Sequence, residues 1–348
     1  MGAGFFSQFH LAGWAGVAAV EVIGVCDPDV EKARSLASQF GVSAIYPDIE
    51  TLLRVAKPDL IDVVVPPGSQ AAVLAPVLEA RIPVICQKPF GIDYAQARSF
   101  VSRAQETNTP LVVHENFRFM PWYREMRRCI TSGLLGDLHG VSFRLRPGDG
   151  QGPRAYLDRQ PYFQTMPRLL VTETAIHFID TFRFLMGEVK SVSAHLRRLN
   201  PVIQGEDAGV IVFDFANGAA GVFDGNRLNS HPATNQRRTM GEMWLDGSKG
   251  VMRLDGNAQL WWTPHCGEEA EHTYDRGPAD GFGGGACGAL QQHVIDGLSG
   301  VGVIENDAAH YLKNLQIQEA IYTSHRTGRR IDMANFEPDP ITTHTSTF

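Results

Sequence analysis

Residues Met1 to His10 read MGAGFFSQFH, and this stretch decides how the rest of the chain is interpreted. Gly2 and Gly4 form a G-x-G motif, and Ser7 stands where the third glycine of a dinucleotide fingerprint falls. Such a loop lets backbone N–H groups approach a pyrophosphate, and the helix that follows adds partial positive charge. The fingerprint normally follows a buried strand. We therefore expect a natural chain to carry roughly five to eight more residues before Met1, about one strand's length.

Composition and length restrict the class of protein. The 348 residues include 43% hydrophobic and 20% charged residues, as in ordinary globular proteins, and the length favours two domains. The net charge of −7 argues against general nucleic-acid binding. The five cysteines form no C-x-x-C pair, which favours free thiols in a reducing compartment. The apolar run 11–26 is too short for a membrane helix and contains Glu21, so we expect a cytoplasmic protein without a membrane partner.

Strands alternate with helices of about ten residues in the first part of the chain, which predicts a parallel, doubly wound sheet. The predicted strands are Val20–Cys26, Ala44–Tyr46, Leu60–Val65, Val84–Cys86 and Leu111–His114. In such a sheet the ligand lies beyond the carboxyl ends of the strands. The segments that meet this condition are Gly2–Ser7, Asp27, Pro66–Gln70, Gln87–Pro89 and Glu115–Arg118.

Asp27 is the acid that a dinucleotide fingerprint requires roughly 20 residues after its glycines. Its carboxylate can accept hydrogen bonds from ribose hydroxyls and would repel a 2′-phosphate, and no basic residue follows before Lys32. The sequence therefore favours NAD over NADP as the cofactor. Asp27 would also suit the start of a helix, so its spacing from the glycines carries the assignment.

Lys88 lies between a buried strand and Pro89. The proline restricts Lys88 to an extended backbone, and the strand end holds the lysine partly out of solvent. The alternative is an ordinary solvated loop lysine. Its place at the same sheet edge as the glycine loop favours a functional role.

Two carboxylates and an imidazole are spaced at i, i+4 and i+7 in Glu173, His177 and Asp180. On an α-helix these side chains fall along one face. A histidine suits the removal of a hydroxyl proton, and a neighbouring carboxylate can orient it. Three alternatives stay open here: a buried structural histidine, a zinc site, and a helix in which Asp180 caps or pairs with Arg183.

The loop from Pro147 to Pro167 is rich in glycine, proline, arginine and aromatic residues. Loops of this length in a compact domain are usually functional or disordered, and Tyr156, Tyr162 and Phe163 argue against disorder. Aromatic faces beside polar groups suit a sugar, and the alternative is a packed surface loop.

Strand patterns joined by Asn-Gly and Asp-Gly turns run from Val189 to Thr263. They predict an α+β domain with a large, mostly antiparallel sheet. A broad face carrying Trp244, Trp261 and Trp262 favours pairing with a second copy of the chain, as a dimer or a tetramer, although these rings could pack on the domain's own helices. The glycine-rich segment Gly281–Gly285 is interpreted as a hinge, because no strand leads into it.

Several of these motifs together resemble the Gfo/Idh/MocA sugar dehydrogenases: GAGFFSQFH, the acid in VCDPD, VVVPP, and QKP. The run NFRF before Pro121 and the segments GFGGGACGALQQHVIDGL and EAIYTSHRTGRRI are also similar, so the resemblance covers nearly the whole chain. It implies a Rossmann-like dinucleotide-binding domain, residues 1–119, and an α+β domain for substrate binding and oligomerisation, residues 120–348. The family usually has Glu-Lys-Pro where this chain has Gln87-Lys88-Pro89, and D-x-x-x-H where this chain has Glu173 and His177.

The resemblance implies NAD-dependent oxidation of a sugar hydroxyl, at the anomeric carbon of an aldose, without a metal. His177 would remove the proton, Lys88 would hydrogen-bond the developing alkoxide, and Glu173 would orient His177 or hold a neighbouring hydroxyl. The residues placed at the substrate are Lys88, Arg118, Tyr156, Glu173 and His177. Those placed at the cofactor are Gly2, Gly4, Phe5, Phe6, Asp27, Pro66, Pro67, Gln70, Gln87, Lys88 and Asn116. The alternatives are a ring-hydroxyl dehydrogenase of the inositol type, a non-catalytic nucleotide-binding regulator, and a metal hydrolase.

Overall fold

The computed structural model describes residues 1–279 and 281–339. The chain divides into two compact units. The first contains Met1–Phe119 and Gly285–Lys313, and the second contains Met120–Gly284 and the residues from Asn314 onward. The stretch 285–313, which the sequence analysis assigned to the second domain, therefore packs with the first.

Short parallel strands alternate with helices in the first unit. The helices are α1 (Ser7–Trp14), α2 (Val30–Gln39), α3 (Ile49–Ala56), α4 (Pro67–Glu79) and α5 (Tyr94–Thr107). The strands are β1 (Val25–Cys26), β2 (Ile45–Tyr46), β3 (Ile61–Val63), β4 (Val84–Gln87) and β5 (Leu111–His114), and a 3₁₀ turn follows at Phe117–Phe119. Every residue of β4 and β5 is buried, as expected where helices cover both faces of a parallel sheet. The predicted Rossmann-like fold is confirmed.

The parallel strands form two sheets instead of the single predicted one. β1 pairs with β2, and β3, β4 and β5 form the other sheet. The predicted strand from Val20 pairs with a neighbour only at its last two residues. A cavity of about 460 Å³ lies between the sheets, lined by residues on either side of it. Its end is closed by the first two residues, since Gly2 N–H donates to Cys26 O (2.7 Å) and Met1 O accepts from Val64 N–H (2.7 Å).

A nine-stranded sheet dominates the second unit. Its helices are α6 (Pro121–Thr131) and α7 (Ile176–Met186), with short turns at Pro161–Gln164 and Phe282–Gly284 and a π-helix at Leu170–Ala175. Eight of the nine strands are β6 (Leu138–Leu145), β7 (Val189–Arg197), β8 (Ala208–Phe215), β9 (Ala220–Asn226), β10 (Gly241–Gly247), β11 (Gly250–Leu254), β12 (Leu260–Pro264) and β13 (Ala270–His272), and the ninth comes later in the chain. Neighbouring strands are antiparallel except for the parallel pair β6 and β9, which confirms the predicted sheet. Alternate residues of β8 point inward, and Phe213 meets Phe182 of α7 at 5.5 Å between ring centroids.

Two further helices and a short strand follow along the chain: α8 (Ala286–Leu298), α9 (Ala308–Thr327) and β14 (Ile331–Asp332), which pairs with β7. α8 packs on α1, where a side chain at Gly13 would collide with the Gly288 backbone and the Gln291 side chain. The amide of Gln291 also donates to His10 O (3.0 Å). These close contacts explain why α8 joins the first unit. No helix among the described residues is long and apolar enough to cross a membrane.

Candidate active site

The two glycines of the loop differ in their surroundings, since Gly2 is tightly packed and Gly4 faces open space. Gly2 has φ +98°, and a Cβ there would lie 2.1 Å from Val64 O, so only glycine fits. A Cβ at Gly4 would meet nothing within 4 Å, which leaves room for a ligand. Ser7, at the third glycine position, is buried and donates from Oγ to Gly2 O (2.9 Å). No side chain caps α1, but two N–H groups of its first turn are already paired with the loop, since Ser7 N–H donates to Gly4 O and Phe9 N–H donates to Phe6 O (3.1 Å each). What this end of the helix offers an anion is therefore chiefly its partial positive charge.

Asp27 braces this loop with one carboxylate oxygen and the turn that follows β1 with the other. Oδ2 accepts from Ala3 N–H (2.8 Å), and Oδ1 accepts from Asp29 N–H (2.9 Å). An ionised carboxylate has about four lone-pair sites, so acceptor capacity remains for a ribose. The acid therefore stands beside the glycine loop, as the fingerprint predicts.

Two phenylalanines follow the glycines. Phe5 exposes 59% of its surface, and its ring contacts Phe9 edge-on at 5.7 Å between centroids. Phe6 is half-buried and contacts His10 at 5.5 Å. Phe5 thus offers an accessible apolar face next to the predicted pyrophosphate loop, whereas Phe6 packs on the helix.

Pro66 and Pro67 lie at the carboxyl end of β3, and Pro67 begins α4. Gln70 in that helix is fully buried, and its amide holds the loop after β4. Its Nε2 donates to Gln87 O (2.9 Å) and Pro89 O (2.8 Å), and its Oε1 accepts from the N–H of the following Gly91 (2.7 Å). Gln70 was predicted to bind the cofactor, but its bonds are those of a residue that positions the loop carrying the lysine.

A hydrogen-bonded chain leads from a buried carboxylate to Lys88. Asp62 Oδ2 accepts from His10 Nδ1 (2.8 Å) and from Trp14 Nε1 (2.7 Å). Because Gln87 Nε2 is a donor, His10 Nε2 accepts from it (3.3 Å), which assigns the His10 proton to Nδ1. Gln87 Oε1 then accepts from Lys88 N–H (2.7 Å).

This chain includes two residues that the sequence analysis missed, His10 and Asp62. Burial alone would raise the pKa of the Asp62 carboxyl, but its interaction with His10 and the hydrogen bonds that His10 and Trp14 donate outweigh this and hold the pKa below its usual range. His10 also stacks on His114, with ring centroids 3.9 Å apart. In the sequence, only the position of His10 pointed to this chain of hydrogen bonds: it lies in the helix directly after the fingerprint, close to the predicted strand ends.

Asn116 and Arg118, which follow β5, are both about 3% exposed. Asn116 Nδ2 donates to Cys287 Sγ (3.3 Å), and Arg118 Nη1 donates to Glu305 O (3.4 Å) and lies 3.8 Å from its carboxylate. Both side chains are therefore engaged with residues 285–313, the segment that packs with the first unit. This burial does not favour the predicted contact of Arg118 with substrate.

Glu173 and His177 lie on either side of a change in helix type. Glu173 is in the π-helix, and His177 is the second residue of α7, so the two do not share the uniform α-helical face that the sequence predicts. Glu173 is half-buried and His177 is 6% exposed. Asp180 is fully buried and accepts from Asn314 Nδ2 (2.7 Å), which indicates a structural role.

Arg227 joins the long loop of the second unit to the π-helix. Its guanidinium donates to Tyr156 Oη (2.8 Å), to Thr174 Oγ1 and to both oxygens of Asp149 (2.9 and 3.1 Å). Tyr156, predicted to contact substrate, is 7% exposed and packs on Phe163, with its hydroxyl held by Arg227. Burial raises the pKa of Tyr156 to about 12. Tyr156 thus supports the loop from inside.

The predicted zinc alternative for Glu173, His177 and Asp180 finds no geometric support. Within residues 1–279 and 281–339, the ligand atoms of His, Cys, Asp and Glu that lie close enough for a shared metal belong to a different group, Glu125, Cys129 and His272.

A glycine loop at a helix start, an acid after the next strand and a lysine after β4 define an oxidoreductase that binds a nicotinamide dinucleotide. Residues 1–115 match the model of the oxidoreductase family with an NAD-binding Rossmann fold, and residues 123–253 match the GFO/IDH/MocA C-terminal domain. The chain belongs to the GFO/IDH/MocA family. It is an NAD-dependent oxidoreductase, so the predicted enzyme class and cofactor are confirmed.

The chain is similar to known proteins over almost its whole length. It is 29% identical to a D-apiose dehydrogenase of Paraburkholderia graminis, over 99% of this chain and 92% of that protein. A D-apiose dehydrogenase of Rhizobium rhizogenes is 28% identical, over 96% of each. Among solved structures, an oxidoreductase from Agrobacterium radiobacter in complex with NAD⁺, L-tartaric acid and magnesium is 28% identical, with a TM-score of 0.86 over 96% of this chain and 97% of that one.

Proposed function

We propose that this enzyme oxidises the anomeric carbon of an aldose such as D-apiose to its lactone. The observation that carries the proposal is the full-length similarity to two proteins named D-apiose dehydrogenase. The retention of Lys88 and His177 at the positions expected for a family dehydrogenase supports it.

In the proposed reaction the substrate loses one hydride and one proton, and the hydroxyl-bearing carbon becomes a carbonyl. NAD, when bound, accepts the hydride. His177 removes the proton from the hydroxyl, and Lys88 donates a hydrogen bond to the oxygen as negative charge develops there. Glu173 orients His177 or holds a neighbouring hydroxyl.

The geometry of the first unit supports the cofactor contacts that we propose. The open side of Gly4 and the start of α1 would hold the pyrophosphate, and Asp27 would accept hydrogen bonds from the ribose hydroxyls. Phe5, Pro66 and Pro67 line the same strand ends. Gln87, in this proposal, keeps Lys88 in position through its bond to the Lys88 N–H.

The aromatic surface for the sugar is assigned to Tyr162 in place of Tyr156. Tyr162 exposes 52% of its surface, its hydroxyl accepts from Gln160, and its ring contacts Phe163 edge-on. A stacking residue makes uniform contacts to ground state and transition state, so Tyr162→Ala should raise KM more than it lowers kcat.

The test is NADH formation with a panel of aldoses and polyols that includes D-apiose and myo-inositol. Lys88→Ala and His177→Ala should keep NAD affinity and lose turnover, whereas the matched surface variants Lys190→Ala and His139→Ala should behave as the parent. Turnover of myo-inositol in preference to every aldose would overturn the assignment of substrate. Tight NAD binding with no turnover of any sugar would favour the regulator instead.

We also propose that the protein is a cytoplasmic homo-oligomer that pairs through the outer face of its large sheet. Val210 and Val212 of β8 are exposed by 37% and 39% on that face, and Trp244 and Trp261 are half-exposed. Free thiols, four of them buried, fit a reducing compartment. Light scattering of Val212→Lys should show smaller particles than the parent, and an unchanged mass would contradict the face chosen.

A further inference from the structure

Three side chains with different donor atoms meet between α6 and β13 in the second unit. Glu125 and Cys129 lie one turn apart on α6, and His272 is the last residue of β13. Cys129 Sγ lies 3.6 Å from His272 Nε2 and 3.7 Å from Glu125 Oε1, and His272 Nε2 lies 2.5 Å from Glu125 Oε1. None of the motifs that define the oxidoreductase uses this cluster.

The distances match most of a tetrahedral ligand set. Zinc bonds of about 2.0 Å to nitrogen or oxygen and about 2.3 Å to sulfur separate tetrahedral ligand atoms by about 3.3 to 3.5 Å. The two distances from Cys129 Sγ are already within about 0.2 Å of this range. Only the contact between His272 and Glu125, now a hydrogen bond, has to open by about 0.8 Å, which side-chain rotations can provide.

The location also suits a metal. Cys129 is 1% exposed at the base of the cluster, and the Glu125 and His272 side chains are 12% and 20% exposed, so an ion can enter from their side. β13 has only three residues and is the edge strand of the sheet, paired with β12 alone. A metal held by α6 and His272 would fasten this edge to the body of the unit.

Arg128 is the competitor within the site. Its Nε donates to Glu125 Oε2 (2.8 Å) and its Nη2 donates to Oε1 (2.5 Å). A cation on Oε1 has to displace the Nη2 bond, but the bond to Oε2 can remain and orient the carboxylate, as outer-shell partners commonly do. The Arg128 side chain is 64% exposed, so its guanidinium can move into solvent.

We propose that Glu125, Cys129 and His272 bind a divalent transition-metal ion of the zinc type, with water completing the coordination. A thiolate and an imidazole in one site select such ions over magnesium or calcium, which prefer oxygen ligands. Binding replaces the Cys129 thiol proton with the metal and breaks the hydrogen bond between His272 and Glu125. The site has a structural role in this proposal, and it takes no part in sugar oxidation.

The experiment titrates the chelator-treated full-length protein with Co²⁺ under reducing, metal-free conditions. We expect one Co²⁺ per chain, with thiolate-to-cobalt charge-transfer absorption and the visible bands of a tetrahedral ion, displaced by Zn²⁺ and unaffected by excess Mg²⁺. Cys129→Ser should abolish the charge-transfer band and weaken binding at least tenfold, and His272→Gln should weaken it similarly. The matched controls are Cys266→Ser and His265→Gln, which remove an exposed thiol and an exposed imidazole.

A second readout protects the test against misfolded variants. Stoichiometric Zn²⁺ should raise Tm of the parent and of Cys266→Ser, but should leave Tm of Cys129→Ser unchanged. Absence of a charge-transfer band in the parent would show that the cluster is a metal-free ion pair held by Arg128, and would overturn the proposal. The same holds if the band survives in Cys129→Ser and disappears in Cys266→Ser.

Discussion

Replacement of Arg227 should lower both the stability of the second unit and the rate of the proposed reaction. Its side chain is 5% exposed and donates four hydrogen bonds to Tyr156, Thr174 and Asp149. Arg227→Met keeps much of the length and apolar volume of the side chain but removes the charge and every donor. The carboxylate of Asp149 then loses its main partner.

The cost can be worked out from the environment of Asp149. Removing one partner of a buried ion pair typically costs about 3 to 5 kcal/mol, because the remaining charge is left uncompensated. Asp149 is 22% exposed and keeps Arg159 at 3.6 Å, so part of its charge is solvated and screened. We therefore expect a loss of about 2 to 4 kcal/mol in the free energy of unfolding.

The effect on catalysis acts through Thr174. Arg227 holds the Thr174 hydroxyl, and Glu173 precedes that residue in the π-helix. A displacement of about 1 Å in a catalytic group can cost on the order of 10²-fold in rate, so kcat/KM should fall by about that factor. Arg227→Lys, which keeps the charge without the planar fork, should lie between Arg227→Met and the parent.

The assay is urea unfolding followed by tryptophan fluorescence, since four of the five tryptophans belong to residues 120–284. The matched control is Arg253→Met. Arg253 also donates from two of its nitrogens to a carboxylate, that of Glu269. This pair lies on the surface, where an ion pair contributes about 0 to 1 kcal/mol to stability. Equal losses in the two variants, or a loss below about 1 kcal/mol for Arg227→Met, would refute the reasoning.

Three further predictions concern the first unit. Asp62→Asn should lower stability at pH 7 by about 2 to 4 kcal/mol. Because the pKa of Asp62 is lowered in the folded protein, its contribution to stability is fully present above the unfolded pKa of about 3.9 and is lost as pH falls toward the folded pKa. Urea unfolding of the parent and of Asp62→Asn should therefore show a smaller difference in stability at pH 3 than at pH 7. Asp27→Asn should weaken NADH binding about 10-fold to 100-fold and reduce the preference over NADPH, measured by fluorescence titration; unchanged affinity for both would place the ribose elsewhere. An extension of about five apolar residues joined to Met1 should fill the cavity and raise Tm above that of a Gly/Ser extension of equal length, because each buried Val or Ile contributes about 1.5 to 3 kcal/mol; equal Tm values would contradict this.

The order of elements in both units could be predicted from the sequence because the signals are local. Each strand of the first unit lies in a short apolar run, and three hairpins of the second unit, β8–β9, β10–β11 and β11–β12, carry Asn-Gly or Asp-Gly. Strand length could not be predicted in the same way. The run from Val20 to Gly24 is as apolar as a strand, but pairing depends on a neighbour that no local pattern reveals.

Residues at strand ends were harder to assign than the strands themselves. Gln70 and Asn116 have the types and positions of ligand-binding residues, but an amide that braces a loop has the same signature. Glu173 and His177 have helical spacing, yet the π-helix changes the angle between their side chains. Only coordinates show which donor meets which acceptor, and therefore which polar residues serve the ligand and which hold the scaffold.

The cavity of the first unit should affect the stability of that unit but not its affinity for NAD. The glycine loop is tied to both parallel sheets, since Gly2 N–H bonds Cys26 O on one side and Met1 O accepts from Val64 N–H on the other. Asp27 fixes the loop from a third direction through Ala3 N–H. None of these bonds crosses the cavity, and all of them lie at the carboxyl ends of the strands. Filling the cavity should therefore raise Tm and leave NAD affinity nearly unchanged; a parallel rise in affinity would mean that the contents of the cavity also hold the glycine loop in place.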